Sequence, residues 1–301
     1  MTMTVDFHVH SNASDGTMPP SELAARSAGF RAMALTDHDN CDGVAEFMGA
    51  AAEHGGMRVA GVELSIEAGK GFDKFHLLAL GVDIRNEALG AFLSRILGGR
   101  NERNAKIVEN FRRIGIPMEY GTGRAHEDVL LYAHGDVLAR PHFARWLMEH
   151  GFSSSVKEAF DSYLAPYSPR ETRCYEERYH PSQEETFRIV HGAGGICVMA
   201  HPKHWKNEWK SAGPDFASAE RELARLKEAG LDGLESLYEA NTIEEDIGFT
   251  RIANALGLLK SAGSDFHGAN KPTISLGMEV PDDFIAPLLE RLGDCVGVVG
   301  G

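Results

Sequence analysis

The sequence predicts an α/β fold: a distorted (β/α)7 barrel of the TIM type, interrupted by a helical insertion. Three observations predict it. Strand and helix signals alternate over residues 1–98 and again over 181–301. The strand signals are short apolar runs rich in Val, Leu and Ala, as in parallel strands buried on both faces. Histidines and carboxylates fall in small groups where strands end, and a barrel gathers such strand ends at one mouth.

Each element has its own warrant. VDFHVH reads as the first strand. PPSELAARSAGF reads as a helix, with Ser21 as its cap, Pro19 and Pro20 in the entry turn and Gly29 as its stop. AMALT is a strand, and a helix follows from about Val44 to His54. MRVAGVELS is a strand that closes near Glu63, and FHLLALGV is a strand that His76 opens. Residues 99–180 change character. RNERNAKIVENFRRIG, HEDVLLYAHG, RPHFARWLMEHG and SVKEAFDSYL carry helical spacing, and several close on Gly. A helical insertion capping the barrel mouth is the simplest account.

Alternation resumes after Pro181. SQEETFRIVHGAG, FASAERELARLKEAG, TIEEDIGFTRIANALG and DDFIAPLLERLG read as helices. GGICVMAHP, DGLESLY and LLKSAGSDFH read as strands, and CVGVVGG is a short tail. About seven strands result, one unit fewer than the standard eight.

Bulk properties narrow the function. A net charge of −14 and a pI near 5.4 argue against coating nucleic acid, so no stable nucleic-acid complex is expected. An anionic substrate stays open, because bound cations dominate a local field. Cys41, Cys174, Cys197 and Cys295 form no C-x-x-C pair, which fits free thiols in a reducing compartment. No apolar run is long enough to span a membrane, and the N-terminus enters a strand without a leader pattern. A cytoplasmic protein is the expectation.

The groups at the strand ends carry the chemistry. His8 and His10 form H-x-H, and alternate residues of a strand face one side. Alone this is weak, since 14 histidines in 301 residues give roughly 0.6 such pairs by chance. Asp15 before Gly16 is ordinarily a turn residue. In Asp37-His38-Asp39, His38 is the candidate ligand, and a flanking Asp could orient its ring. Glu63 closes a buried strand, which is costly without a partner or a metal, and a carboxylate can bridge two cations. His76 supplies a neutral nitrogen. His201 precedes Pro202, and Asp265 and His267 share one face of GSDFH. Singly each group reads as structural. Together nine such residues suit several divalent cations, which would activate a bridging hydroxide and clamp a reacting group. A set without cysteine suits manganese, iron or zinc.

DFHVHSNASDG, ALTDHDN, GVELS, AHP and GSDFH together resemble the PHP (polymerase and histidinol phosphatase) family of metal-dependent phosphoesterases. The resemblance runs from residue 6 to about 268. It implies a PHP barrel holding two to three metals, manganese first. His8, His10, Glu63 and Asp265 would hold one, Glu63 with His76 and His201 a second, and Asp15, His38 and His267 a third. DHDN stands where DHDT is more usual, a loop difference at Asn40. The insertion, with RPHFARWL and then AFDSYL, is similar to the branch of nucleoside 3′,5′-bisphosphate phosphatases and short-oligonucleotide 5′ exonucleases.

That branch implies a phosphoric monoester hydrolase with a small phosphorylated nucleotide as its partner, or a short oligonucleotide. Arg140, His142, Arg170 and Lys203 are the candidates for substrate phosphates, with local capping or pairing as the ordinary alternative. His204 is the candidate proton donor to the leaving oxygen, beside Asp265 and His267. Trp205, Phe143 and Tyr167 could stack on a base, although aromatics at such places usually belong to a core. Histidinol phosphate or another monophosphate, C–N hydrolysis and a non-catalytic metal-binding module are the competing readings.

Overall fold

A computed structural model describes residues 1–50, 56–67, 69, 74–121, 128–132, 137–206 and 209–300. The strands are β1 (Thr2–Asp6), β2 (Ala32–Leu35), β3 (Met57–Glu67), β4 (Lys74–Leu80), β5 (Ile196–Met199), β6 (Gly233–Tyr238), β7 (Leu259–Gly263), β8 (Met278–Pro281) and β9 (Val298–Val299). The helices are α1 (Pro20–Arg26), α2 (Val44–Gly49), α3 (Glu87–Arg113), α4 (Arg140–Glu149), α5 (Val156–Ala159), α6 (Gln183–Gly192), α7 (Trp209–Ala212), α8 (Phe216–Ala229), α9 (Ile243–Leu256) and α10 (Asp282–Gly293).

Strands β1 to β7 follow one another around the sheet in chain order. The chain beyond β1 closes the ring against the end of β7. Phe7 N–H donates to Ala262 O at 3.0 Å, Asp265 N–H to His8 O at 2.9 Å and His10 N–H to Phe266 O at 2.9 Å. The result is the expected distorted seven-stranded barrel. Strand β8 adds antiparallel to β1, and β9 adds to the start of β3; neither short strand was read from the sequence.

One strand departs from a parallel barrel. Strand β4 runs antiparallel to both β3 and β5, with Ser65 opposite His76. Only residues 68–73 join β3 to β4, too few for a crossover helix, so the pair is a hairpin. The reversal puts the start of β4 at the mouth where its neighbours end. His76 therefore reaches the mouth from the opening of its strand, while the other groups reach it from strand ends. Glu63 does not end β3 either. The strand continues to Glu67, and Glu63 sits mid-strand beside His38 in a parallel bridge.

Other details also correct the expectations. Ser21 is not a cap: α1 starts at Pro20, with Pro19 before it, and Ser21 N–H donates to Glu46. Helix α2 ends at Gly49, Ala50 is extended, and residues 51–54 of the expected span lie outside the described residues. Within HEDVLLYAHG only 128–132 are described, and Val129–Tyr132 form a single 3-10 turn.

Helix α3 is longer than expected, at 27 residues, and starts with an Asn86 cap on Leu89 N–H. It spans about 40 Å. Its first half packs Leu89, Phe92 and Ile96 on the barrel. Its second half packs Ile107, Val108 and Phe111 on a separate cluster with Phe143, Trp146 and Leu147 of α4. One helix thus joins the barrel core to the helical cluster. Phe143 belongs to that core, and Trp205 packs on Phe75 and Trp209 in the barrel core, so neither aromatic is free to stack on a base. On the opposite side, Ile285, Leu288 and Leu292 of α10 pack with Met57, Leu80 and Ile196, which lie at the strand ends away from the histidines. The four cysteines are unpaired, and no helix among the described residues is long and apolar enough to cross a membrane.

Asp6 locks the closure. It is fully buried and accepts from Ser264 Oγ (2.6 Å), Ser264 N–H (3.0 Å), Gly277 N–H (2.9 Å) and His8 N–H (3.2 Å), tying β1 to the chain after β7 and before β8. Burial raises its pKa to about 6 against those four donors. Replacing it strands buried donors. Asp6→Ala should destabilise the fold by about 3 kcal/mol or more in urea unfolding; a loss under about 1 kcal/mol would show that the clasp is not what closes the ring.

Candidate metal centre

Glu63 is the hub of the mouth. It is 1% exposed, and five imidazoles converge on it. His8 Nε2 (3.4 Å), His10 Nε2 (3.2 Å) and His38 Nδ1 (2.9 Å) face its Oε2. His76 Nδ1 (2.7 Å) and His201 Nε2 (3.1 Å) face its Oε1. Burial by itself would raise the Glu63 pKa. The imidazoles of His38, His76 and His8 hold it well below the usual carboxylate range.

The local folding explains the convergence. His8 and His10 alternate in extended chain, so both Nε2 atoms point inward. Asp15 sits in a tight turn where Gly16 N–H donates to Ser11 O, and a Cβ on Gly16 would lie 2.3 Å from His10 O, so only glycine fits. That turn brings Asp15 to His267 Nε2 (3.2 Å), His38 Nε2 (3.7 Å) and His10 Nδ1 (3.8 Å). Asp265 Oδ1 lies 3.3 Å from His267 Nδ1, 3.5 Å from His10 Nε2 and 3.6 Å from His8 Nε2. The backbone is strained at this mouth. Among the described residues, only Asp39, His201 and Asp265 have positive φ without being glycine.

The donors form three sets, each with its ligand atoms within 4.8 Å of one another: His8, His10 and Glu63; Glu63, His76 and His201; and His10, Asp15, His38 and His267. His10 in the last set is an addition to what the resemblance implied, and Asp265, expected in the first, stands in none of the three, although its Oδ1 faces His8 and His10. Metal ions fit these sets on a direct observation. His8 Nε2, His10 Nε2, Asp15 Oδ1 and Glu63 Oε2 are buried without a well-formed hydrogen bond. Buried orphan lone pairs are costly; three of these atoms meet at Glu63 Oε2, and Asp15 Oδ1 faces His267 and His10. Charge divides the imidazoles. Against the cost of burial, Glu235, Glu63 and Asp265 lift His8 well above its ordinary pKa, and Glu63 and Asp15 lift His38 to about 9. Burial, with neighbouring imidazoles, pushes His10 well down.

The comparisons with known proteins bear on this geometry. The PHP domain model matches residues 6–229. The chain belongs to the PHP domain family. It is 33% identical to a 3′,5′-nucleoside bisphosphate phosphatase of Chromobacterium violaceum over 267 residues, covering 87% of each protein. It is 32% identical to a 5′-3′ exoribonuclease of Haemophilus influenzae, covering 89% of this chain and 91% of that one. Among solved structures, an amidohydrolase from Chromobacterium violaceum with bound sulfate and no metal aligns with a TM-score of 0.80 at 28% identity, covering 98% of this chain and 97% of the other.

Next to the donors of this PHP site lies a cavity of about 220 Å³. It is lined by Asp15, His38 and His76 together with Arg100, Arg103, Arg140 and Arg178. Arg140 was foreseen; the other three were not. Their only sequence signal is the i, i+3 spacing of Arg100 and Arg103 on α3. Arg100 and Arg178 share Asp39, which is buried and held far below the usual carboxylate range against its burial by Arg178 and Arg100. Asp37 instead accepts from Ser11 and Ser14. Neither flanking Asp orients the His38 ring, which faces Glu63 and Asp15. Asn40 ties the same loop to Ala13 O.

The other foreseen contacts divide. His142 does not line the cavity; it is buried, and its Nδ1 accepts Ala139 N–H to cap α4. Arg170 is exposed in a turn and does not line it either. Lys203 Nζ donates to Ala240 O and Glu245 Oε2, both at 2.6 Å, which anchors the start of α9. His204 is exposed at the rim, its ring centroid 5.4 Å from that of His201. Tyr167 is 72% exposed and its hydroxyl donates to Asp161.

If Glu63 is the hub, Glu63→Ala should lower bound manganese by about one ion per chain or more, measured by elemental analysis after gel filtration. Wild-type metal content in that variant would remove Glu63 from the centre.

Proposed function

We propose that the chain is a metal-dependent phosphoesterase that removes the 3′-phosphate of nucleoside 3′,5′-bisphosphates, giving nucleoside 5′-monophosphate and phosphate. The observation that carries this reading is the surplus of guanidinium beside the metal-ligand set. Four arginines face the cavity, and among the described residues only Arg100 and Arg178 of the four pair with a carboxylate, shared on Asp39. Arg103 has no carboxylate partner among the described residues, and its buried Nε makes no hydrogen bond. Burial and the neighbouring charges of Arg100, Arg178 and Arg140 pull its pKa down to about 8. A second anion on the substrate would relieve that repulsion and accept the unused donors. A substrate with one phosphate, such as histidinol phosphate, would not use these arginines.

His8, His10, Asp15, His38, Glu63, His76, His201, Asp265 and His267 would hold two to three divalent ions, manganese first, with iron or zinc also suited to such donors. When bound, the ions supply Lewis-acid activation of water and of the phosphoryl group. The chain's own residues do the rest. Arg103 and Arg140 hold the 5′-phosphate and so fix the 3′-phosphate over the metal ligands. Phe160 and Pro141 form an apolar flank for the nucleoside. His204 at the rim gives a proton to the 3′-oxygen as the P–O bond breaks and water adds to phosphorus. Four free cysteines fit a reducing, cytoplasmic setting.

A second reading has its own observation. A cavity of about 210 Å³ continues past Arg103, Arg140 and Arg178 to Lys74, Tyr175 and His180. This added space beside the first cavity suits a further nucleotide, so the same residues would cut a 5′-phosphorylated short oligonucleotide at a phosphodiester. The likeness to an exoribonuclease favours this reading too.

The test is a substrate panel on manganese-loaded enzyme and on Arg103→Ala. Loss of one charge-assisted contact should raise KM for the 3′,5′-bisphosphate about 10- to 100-fold. Turnover of the 3′-monophosphate should barely change. Equal losses on both substrates would mean that the arginines do not read a second phosphate.

A further inference from the structure

We infer that β6, which carries none of the nine metal-ligand candidates, supplies the residues that orient them: Glu235 positions His8 and His201, and Tyr238 positions Asp265. The inference rests on the metal-site reading above and adds two residues that act through the ligands.

Three observations carry it. First, Glu235 is fully buried, and its carboxylate is spent on the site. Oε1 lies 3.0 Å from His8 Nδ1, and Oε2 accepts His201 N–H. With Nδ1 donating to Glu235, His8 must present Nε2 to the cluster, which is the nitrogen facing Glu63 and Asp265. The bond to His201 N–H supports a residue whose φ of 26° is costly for a non-glycine. Second, Tyr238 lies three residues further along the same strand end. Its hydroxyl donates to Asp265 Oδ2 at 3.0 Å, and Lys271 Nζ donates to the same oxygen. Oδ2 is thereby occupied, and Oδ1 is left to face His8, His10 and His267. Third, the fold keeps room for the Glu235–His8 pair. A Cβ on Gly263 of β7 would lie 2.1 Å from Glu235 Oε1 and 2.5 Å from His8 Cβ. An alanine there would push the pair apart.

Glu235 and Tyr238 are positioning residues on this account, and they touch no substrate. Loss of such an orienting partner typically costs 10- to 100-fold in metal affinity or activity. The experiment measures manganese affinity by calorimetry on the full chain, and in parallel kcat, KM and the melting temperature before and after metal loading. Glu235→Ala should weaken manganese binding about 10- to 100-fold and lower kcat with little change in KM. Glu235→Gln keeps an oxygen acceptor for His8 Nδ1–H, so it should recover part of the affinity. Tyr238→Phe should show a smaller loss of the same kind. A purely structural role would lower the melting temperature while leaving manganese affinity intact, and that result overturns the inference. If Glu235→Ala does not fold, Glu235→Gln and Tyr238→Phe decide, and wild-type affinity in both overturns it. Weakened manganese binding without a change in substrate preference keeps this inference separate from the bisphosphate reading, which stands or falls on Arg103.

Discussion

A carboxylate buried among imidazoles constrains everything else in this molecule. Glu63 sits in the middle of a strand, out of water, where an isolated charge would cost several kcal/mol. Five histidines from four different segments surround it, and they must arrive together or not at all. The barrel is the device that brings them together. Closing the ring through Asp6 carries His8 and His10 to the hub beside Asp265, and reversing β4 delivers His76. Strain at His201 and Asp265 is the local cost of aiming side chains into one space.

The helical layer adds the second half of the site. Because α3 is one helix rooted on the barrel core, Arg100 and Arg103 are held at the mouth. Arg140 enters from the start of α4, where its guanidinium lies over the rings of Tyr175 and Phe160. The mouth is thus built of two materials. A cluster suited to cations lies beside arginines suited to anions, and the proposed bisphosphate substrate would span both.

The candidate ligand set is legible in the sequence because its chemistry is written in residue type and alternation. H-x-H in extended chain, a carboxylate in a buried strand and Asp before Gly in a turn all point the same way once they recur at strand ends. The barrel was legible for the same reason. What stayed hidden depends on relations between distant segments. Nothing in FHLLALGV announces that its strand runs backwards; the six-residue connection from β3 forces that. Arg100, Arg103 and Arg178 look like solvated charges until α3 folds over the barrel. Arg170, equally basic, ends in an exposed turn. His142 reads as a site residue from ARPHF, but its ring caps α4. Glu235 and Tyr238 escaped notice because DGLESLY holds no histidine, and their work is done on ligands from other strands.

Anomalous diffraction from crystals soaked in manganese tests the central claim most directly. The account predicts peaks clustered around Glu63: one beside His8, His10 and Asp265, one beside His76 and His201, and one beside Asp15, His38 and His267. Peaks away from Glu63, or a mouth that stays without anomalous signal at saturating manganese, would contradict it.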